Sequence, residues 1–176
     1  VDGPDGQPVT SPVIPGLATY EKDMFDAAEQ ALPVSSTPDI EAAKALLEKS
    51  GYAGETVKIL VLNGTLGDTQ AAAFQSAGQS IGLNVEIVKA TSSEFYAEAW
   101  SGKYPRTYDG IAIFFAPDVP DPSSLLIPPY ASEYANQQGF KSAEYDRLRE
   151  VWSNSENGSK EQAQALIDME NLISNE

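Results

Sequence analysis

Residues 57–88 constrain this chain more than any other stretch, because two short apolar runs are joined there by one helical pattern with few connecting residues. The first run, VKILVL at 57–62, is aliphatic and rich in β-branched residues, which suit a pleated surface. Asn63-Gly-Thr-Leu-Gly67 reads as a turn, with Asp68 or Thr69 placed to cap a helix. That helix carries Ala71, Phe74, Ala77 and Ile81 on one face and stops at Gly82. The second run, LNVEIV at 83–88, alternates Leu83, Val85 and Ile87 on one side. Strand, helix and strand with short joins form a βαβ unit, whose strands pair in parallel through a right-handed crossover. The pattern then repeats. A short helix over 93–101 precedes DGIAIFF at 109–115, an unbroken apolar run that suits a strand covered on both faces. The fold class that follows is α/β, an open, mainly parallel sheet flanked by helices.

The flanking segments fit around this unit. Residues 1–16 hold four Pro and three Gly, which excludes a helix or a central strand and predicts an extended connector. Residues 17–176 then read as one α/β ligand-binding lobe. A short helical turn is expected over 22–31. Thr37-Pro38-Asp39 marks a helix start, with Thr37 as the cap and Pro38 at the first helical position. Ile40, Ala43 and Leu47 mark its buried face, and Gly51 ends it. Two helices close the sequence. One begins at Ser142 and carries Tyr145, Leu148 and Trp152 on one face; the other begins with a capping box from Ser159 to Gln162 and buries Ala163, Leu166, Ile167 and Ile173. Trp100 and Trp152 both fall on apolar faces and read as core.

Composition removes several classes of function. The formal charge of −15, from 26 acids against 11 bases, opposes a surface that binds nucleic acid or anionic lipid. Cysteine and histidine are both absent. No disulfide, thiolate zinc site or His-based catalytic arrangement is therefore available, and an enzyme would have to run on carboxylates, Lys or Tyr. Nothing in the residues asks for a cofactor or a metal. The sequence begins at Val1 with neither a signal peptide nor a transmembrane-length apolar run, and reads as a mature protein or an excised domain.

After the third strand pattern the character changes. Residues 116–141 are rich in Pro and small polar residues, show no periodicity, and read as a long functional loop. In open α/β sheets ligands bind beyond the carboxyl ends of the strands, which is where this loop starts. Within it Asp118, Pro120, Asp121 and Pro122 form one cluster, and Tyr130 and Tyr134 follow. The residue types leave two readings open. Asp118 and Asp121 are either turn formers or ligand-facing carboxylates, and the two tyrosines either line a pocket or pack beneath the loop. A carboxylate hydrolase using Asp118 and Asp121 as acid and base is the rival from another class. Asn63-Gly-Thr-Leu-Gly-Asp68 lacks the Lys and the glycine spacing of a phosphate loop, and reads as a turn.

Five segments, taken together and in order, resemble the oligopeptide/dipeptide-binding class (family 5) of extracellular solute-binding proteins of ABC importers. They are PDIEAAKALLEKSGY at 38–52, AFQSAGQSIGLNVEI at 73–87, Tyr108-Asp109, Asp121-Pro122, and EYDRL at 144–148. The Pro-rich opening is similar to a crossing segment of that family, so the likeness runs from about residue 8 to 176. One departure is Gly78 or its neighbours, where the family pattern has Leu. The resemblance implies one lobe of a two-lobed, clamp-like protein, here a second-lobe fragment of a longer chain. It implies no catalysis. The expected role is capture of extracellular peptides, or of a sugar, nickel chelate or opine, for delivery to ABC permease subunits. It also implies a monomer, periplasmic or held outside the membrane as a lipoprotein. By the same resemblance Asp118 pairs with the ligand's α-amino group; Tyr130 and Tyr134 are the candidate pocket lining, and Pro120, Asp121 and Pro122 are read as the turn that presents Asp118.

Overall fold

The computed structural model describes residues 11, 13, 16–32, 37–100, 106–113, 116–131 and 139–175. Along the chain these form α1 (Lys22–Ala31), α2 (Ile40–Lys49), β1 (Thr56–Leu62), α3 (Leu66–Ile81), β2 (Asn84–Ala90), α4 (Ser92–Ala99), β3 (Gly110–Ala112), α5 (Ser123–Tyr130), α6 (Ala143–Asn154) and α7 (Lys160–Asn175). They divide into two compact units that interleave in sequence, residues 1–6 with 35–114 and residues 7–34 with 115–176.

The first unit holds the sheet. β1 lies between β2 and β3 and pairs with both in parallel, so the strand order is β2-β1-β3. Alternation along the strands sends two sets of side chains to opposite faces. Ile59, Val61 and Val85 pack under Ala71 of α3, while Leu60 and Ala90 pack with Phe95 and Ala99 of α4 and with Tyr108. Covering both faces explains the aliphatic run of β1, whose Val61 is fully buried. The entry to β3 is pinned by Asp109, whose N–H donates to the Lys58 carbonyl and whose carboxylate accepts the Lys58 N–H, each at 2.8 Å. The α/β class and the parallel, helix-flanked sheet expected from the sequence are what the structure has.

Several local expectations are corrected. α3 begins three residues early, capped by Thr65 rather than Asp68 or Thr69, because the Thr65 hydroxyl accepts the Gly67 N–H. Its buried positions are Gly67, Ala71 and Gly78, while Phe74 is 47% exposed. Close approach of helix to sheet selects the small residues. A β-carbon on Gly78 would stand 2.8 Å from Val85 Cγ2, so the resembling pattern's Leu has no room there. α2 is capped by Asp39, whose carboxylate accepts the Ala42 N–H, so Pro38 precedes the helix and Thr37 is not the cap. None of its residues is fully buried, Ile40 included. β3 ends at Ala112, and residues 114–115 of the expected strand lie outside the described residues. Trp100 is exposed rather than core.

The second unit is helical. α1 has the expected bounds, and α6 starts at Ser142, whose hydroxyl accepts the Tyr145 N–H. α7 buries Ala163, Leu166, Ile167 and Met169 against Phe25, Leu126, Tyr145 and Leu148. Its expected capping box is half made: Ser159 accepts the Gln162 N–H, but the Gln162 side chain accepts from Gly158 and donates to the Trp152 carbonyl. The segment read as a loop contains α5, which carries Pro128 and Pro129 in its last turn and buries Leu126, Ile127 and Pro129.

Candidate ligand-binding site

Strand order decides where the first unit can hold a ligand. β1 connects to β2 on one side, and β2 then connects across β1 to β3 on the other. In sheets of the 2-1-3 order the crevice opens beyond the carboxyl ends of β1 and β3, where the connections part in opposite directions. A groove of about 350 Å³ lies there. Its walls are Leu62 and Leu66 from β1 and the start of α3, Phe95 and Tyr96 from α4, and Ile113 after β3. Gly67 lets α3 approach the sheet, since a β-carbon there would stand 3.0 Å from the Ala112 carbonyl oxygen.

The amides at this helix start are engaged by the chain itself. Asp68 accepts the Gly64 N–H at 2.7 Å and pairs with Lys89 at 3.1 Å; these two contacts, the amide first, hold its carboxyl below the ordinary range. Thr65 accepts the Gly67 N–H and donates to the Leu62 carbonyl. Phe95 and Tyr96 meet edge to face with centroids 5.4 Å apart, which fixes the aromatic wall.

In the second unit, residues 116–122 contain the sequence-derived candidates, and the two acids differ in their surroundings. Asp121 folds onto its own turn: its carboxylate accepts the Ser123 N–H at 2.9 Å, its N–H donates to the Val119 carbonyl at 2.8 Å, and its carbonyl accepts from the Ser124 hydroxyl at 2.6 Å. Pro122 is fully buried at the head of α5, and Pro120 is exposed. Asp118 is exposed and, among the described residues, has no hydrogen-bond or ion-pair partner. Tyr130, half-buried, packs edge to face on Phe140 at 5.9 Å and tilted against Tyr145 at 6.2 Å; burial pushes its phenol up. Tyr134 lies outside the described residues. Burial first, then the Asp121 carboxylate, pushes the Tyr20 phenol up to about 12, against an opposite pull from Trp152.

A family model described as bacterial extracellular solute-binding proteins, family 5, middle region, matches residues 3–137. The chain belongs to this family. Among curated protein sequences none matches it. Solved structures show the same fold for this family 5 chain. The ABC transporter substrate-binding protein CtaP from Listeria monocytogenes aligns with a TM-score of 0.78 at 17% identity over 96% of this chain and 33% of its own. The dipeptide-binding protein of Pseudoalteromonas sp. SM9913, in complex with Met-Leu, aligns at 0.66 and 22% over 77% of this chain and 28% of its own. NikA from Staphylococcus aureus, in complex with Ni(L-His)2, aligns at 0.66 and 21% over 81% of this chain and 30% of its own. The chain thus spans about a third of each of these proteins.

The sequence pointed to residues 118–134 of this family 5 chain, and read residues 63–68, which border the β1/β3 crevice, as a turn. Thr65, Leu66 and Tyr96 carry no motif. Only the succession of two βα units hinted at the crevice, and that succession does not say on which side of β1 the third strand lands.

Proposed function

We propose that this chain is part of the substrate-binding component of an ABC importer that captures extracellular peptides. In this reading residues 17–176 form one ligand-binding lobe and residues 1–16 an extended connector. Asp118 is the ligand contact, pairing with the peptide's α-ammonium, while Pro120, Asp121 and Pro122 shape the turn that presents it. Tyr130 and Tyr134 contribute the pocket wall. The protein binds without catalysis and works as a monomer, outside the membrane as a lipoprotein, beside its permease subunits. The observation that carries the reading is the contrast between the two acids. Asp121 spends its carboxylate on its own turn, whereas exposed Asp118 keeps both oxygens available. An acid occupied in capping is poorly placed for hydrolysis as the second member of a catalytic pair, which favours binding over the hydrolase alternative. Membership in family 5 and the likeness to a dipeptide-binding protein support the ligand class.

Calorimetry on the full polypeptide tests it with a tripeptide and its N-acetylated form. Asp118→Ala is expected to cost the free-amine peptide about 2–5 kcal/mol, as for truncation of one partner of a desolvated charge pair. The acetylated peptide should bind the native protein and the variant equally weakly. An unchanged affinity for the free-amine peptide removes Asp118 from the site. The 176-residue chain alone should bind peptide weakly, because most of the enclosing contacts are then missing.

A further inference from the structure

The β1/β3 crevice has a chemistry of its own. Leu66 is 64% exposed and Tyr96 49% exposed, so two large apolar side chains stand open to a groove whose floor is aliphatic and aromatic. Isolated apolar exposure needs no explanation, but apolar groups converging on one crevice at a topological switch point do. Among the described residues, no Lys, Arg, Asp or Glu lines it. A helix start ordinarily welcomes an anion. Here that place is taken, because the Asp68 carboxylate accepts the Gly64 N–H and the Thr65 hydroxyl accepts the Gly67 N–H. Of the acids beside the lining residues, Asp68 pairs with Lys89 and Glu94 accepts the Thr91 N–H, and the chain carries −15 overall. A ligand carboxylate would meet the Gly64 and Gly67 amides already engaged and a net negative chain.

We infer that the crevice bounded by Leu66, Phe95, Tyr96 and Ile113 takes an apolar or aromatic side chain of a captured peptide whose remaining residues are neutral or basic, and that it rejects an acidic side chain. The inference rests on the proposed peptide reading and adds to it a specificity-determining subsite. Leu66 and Tyr96 close on the two sides of the entering group, and the edge-to-face pair of Phe95 and Tyr96 presents a rigid wall that loses little freedom on binding. The −15 charge of the chain favours basic flanking residues of the ligand over acidic ones.

The test uses the full polypeptide and lysine tripeptides in which one residue, at each position in turn, is Phe, Ala or Glu. At the position that meets the crevice, Phe should bind at least about tenfold more tightly than Ala, as expected for burying an aromatic side chain, with Glu weakest. Leu66→Asp and Tyr96→Ser, both at exposed positions, should each shrink the Phe-to-Ala ratio at least about threefold while leaving the thermal midpoint unchanged. Asp118→Ala should weaken all the peptides together and keep the ratio. A Phe-to-Ala ratio that survives both crevice variants, with the uniform Asp118 effect intact, overturns the subsite and leaves peptide capture standing. Failure of the native protein to bind any of these peptides overturns both.

Discussion

The Ser11 hydroxyl donates to the Glu170 carboxyl, joining residues 159 positions apart in sequence within the second unit. Both side chains are buried, Ser11 at 4% and Glu170 at 3% exposure, and they face a small cavity lined also by Lys22, Asp26 and Glu29 of α1. Lys22 pairs with Asp26 at 2.5 Å. Burial, aided by Glu29, raises the Glu170 carboxyl above its ordinary value, while the Ser11 hydroxyl and the Val13 backbone pull it the other way.

Protonation of Glu170 is therefore linked to stability. The unfolded chain releases this proton near the ordinary glutamate value, and the folded unit keeps it to higher pH. The stability that this group contributes is fully present below the unfolded value and is lost as pH rises through the folded one. Glu170→Gln should raise the thermal midpoint at pH 7 and flatten its fall between pH 4 and pH 7. Urea or thermal melts across that range measure the slope, and an unchanged slope removes Glu170 as its source.

The two acids of the 118–122 turn should separate by readout. Asp121→Ala removes the acceptor of the Ser123 N–H at the start of α5 and should cost about 1 kcal/mol of stability. Asp118→Ala, at an exposed position, should change stability by no more than about 0.5 kcal/mol. Chemical denaturation of the two variants side by side distinguishes them, and equal losses would contradict the assigned geometry.

Gly78→Val places a branched side chain where even a β-carbon meets Val85 Cγ2 at 2.8 Å. Valine at 85 is held in few rotamers and cannot swing aside. The expected loss is about 1–3 kcal/mol, with helix α3 pushed off β2. Denaturation gives the loss, and slower-exchanging amides in β2 than in the native protein would contradict it.

Tyr145→Phe tests the second unit's core. The Tyr145 hydroxyl donates to the Leu126 carbonyl at 2.8 Å in a fully buried position, and burial pushes the phenol up well above its ordinary value. Removing the oxygen takes one buried hydrogen bond from the Leu126 carbonyl, which lies within α5, and should cost about 0.5–1.5 kcal/mol. A variant as stable as the native protein would show that this bond adds nothing to the core.

Legibility in the sequence followed how local each signal was. The Ser142 cap of α6 and the alternation of Leu83, Val85 and Ile87 were readable because a cap or a two-residue period involves only near neighbours. α5 was not, since Pro128 and Pro129 argue against a helix while nothing local reveals that Leu126 is buried by α7 and its neighbours. The buried face of α3 was misjudged for a related reason. Phe74 is the larger apolar group, but the spacing between α3 and the sheet admits only Gly67, Ala71 and Gly78.

The amino-acid sequence by itself determined the α/β class, the parallel pairing of its βαβ unit and the segments that carry the family resemblance. Those properties reside in periodicity, capping residues and residue types that act over a few positions. Only the tertiary structure decided that β3 pairs with β1 rather than β2, and so opened the crevice between Leu66 and Tyr96. It likewise separated Asp121, bound into its own turn, from Asp118, which is exposed. Strand order and the fate of a carboxylate depend on which distant groups compete for the same surface, and no local pattern records the outcome of that competition.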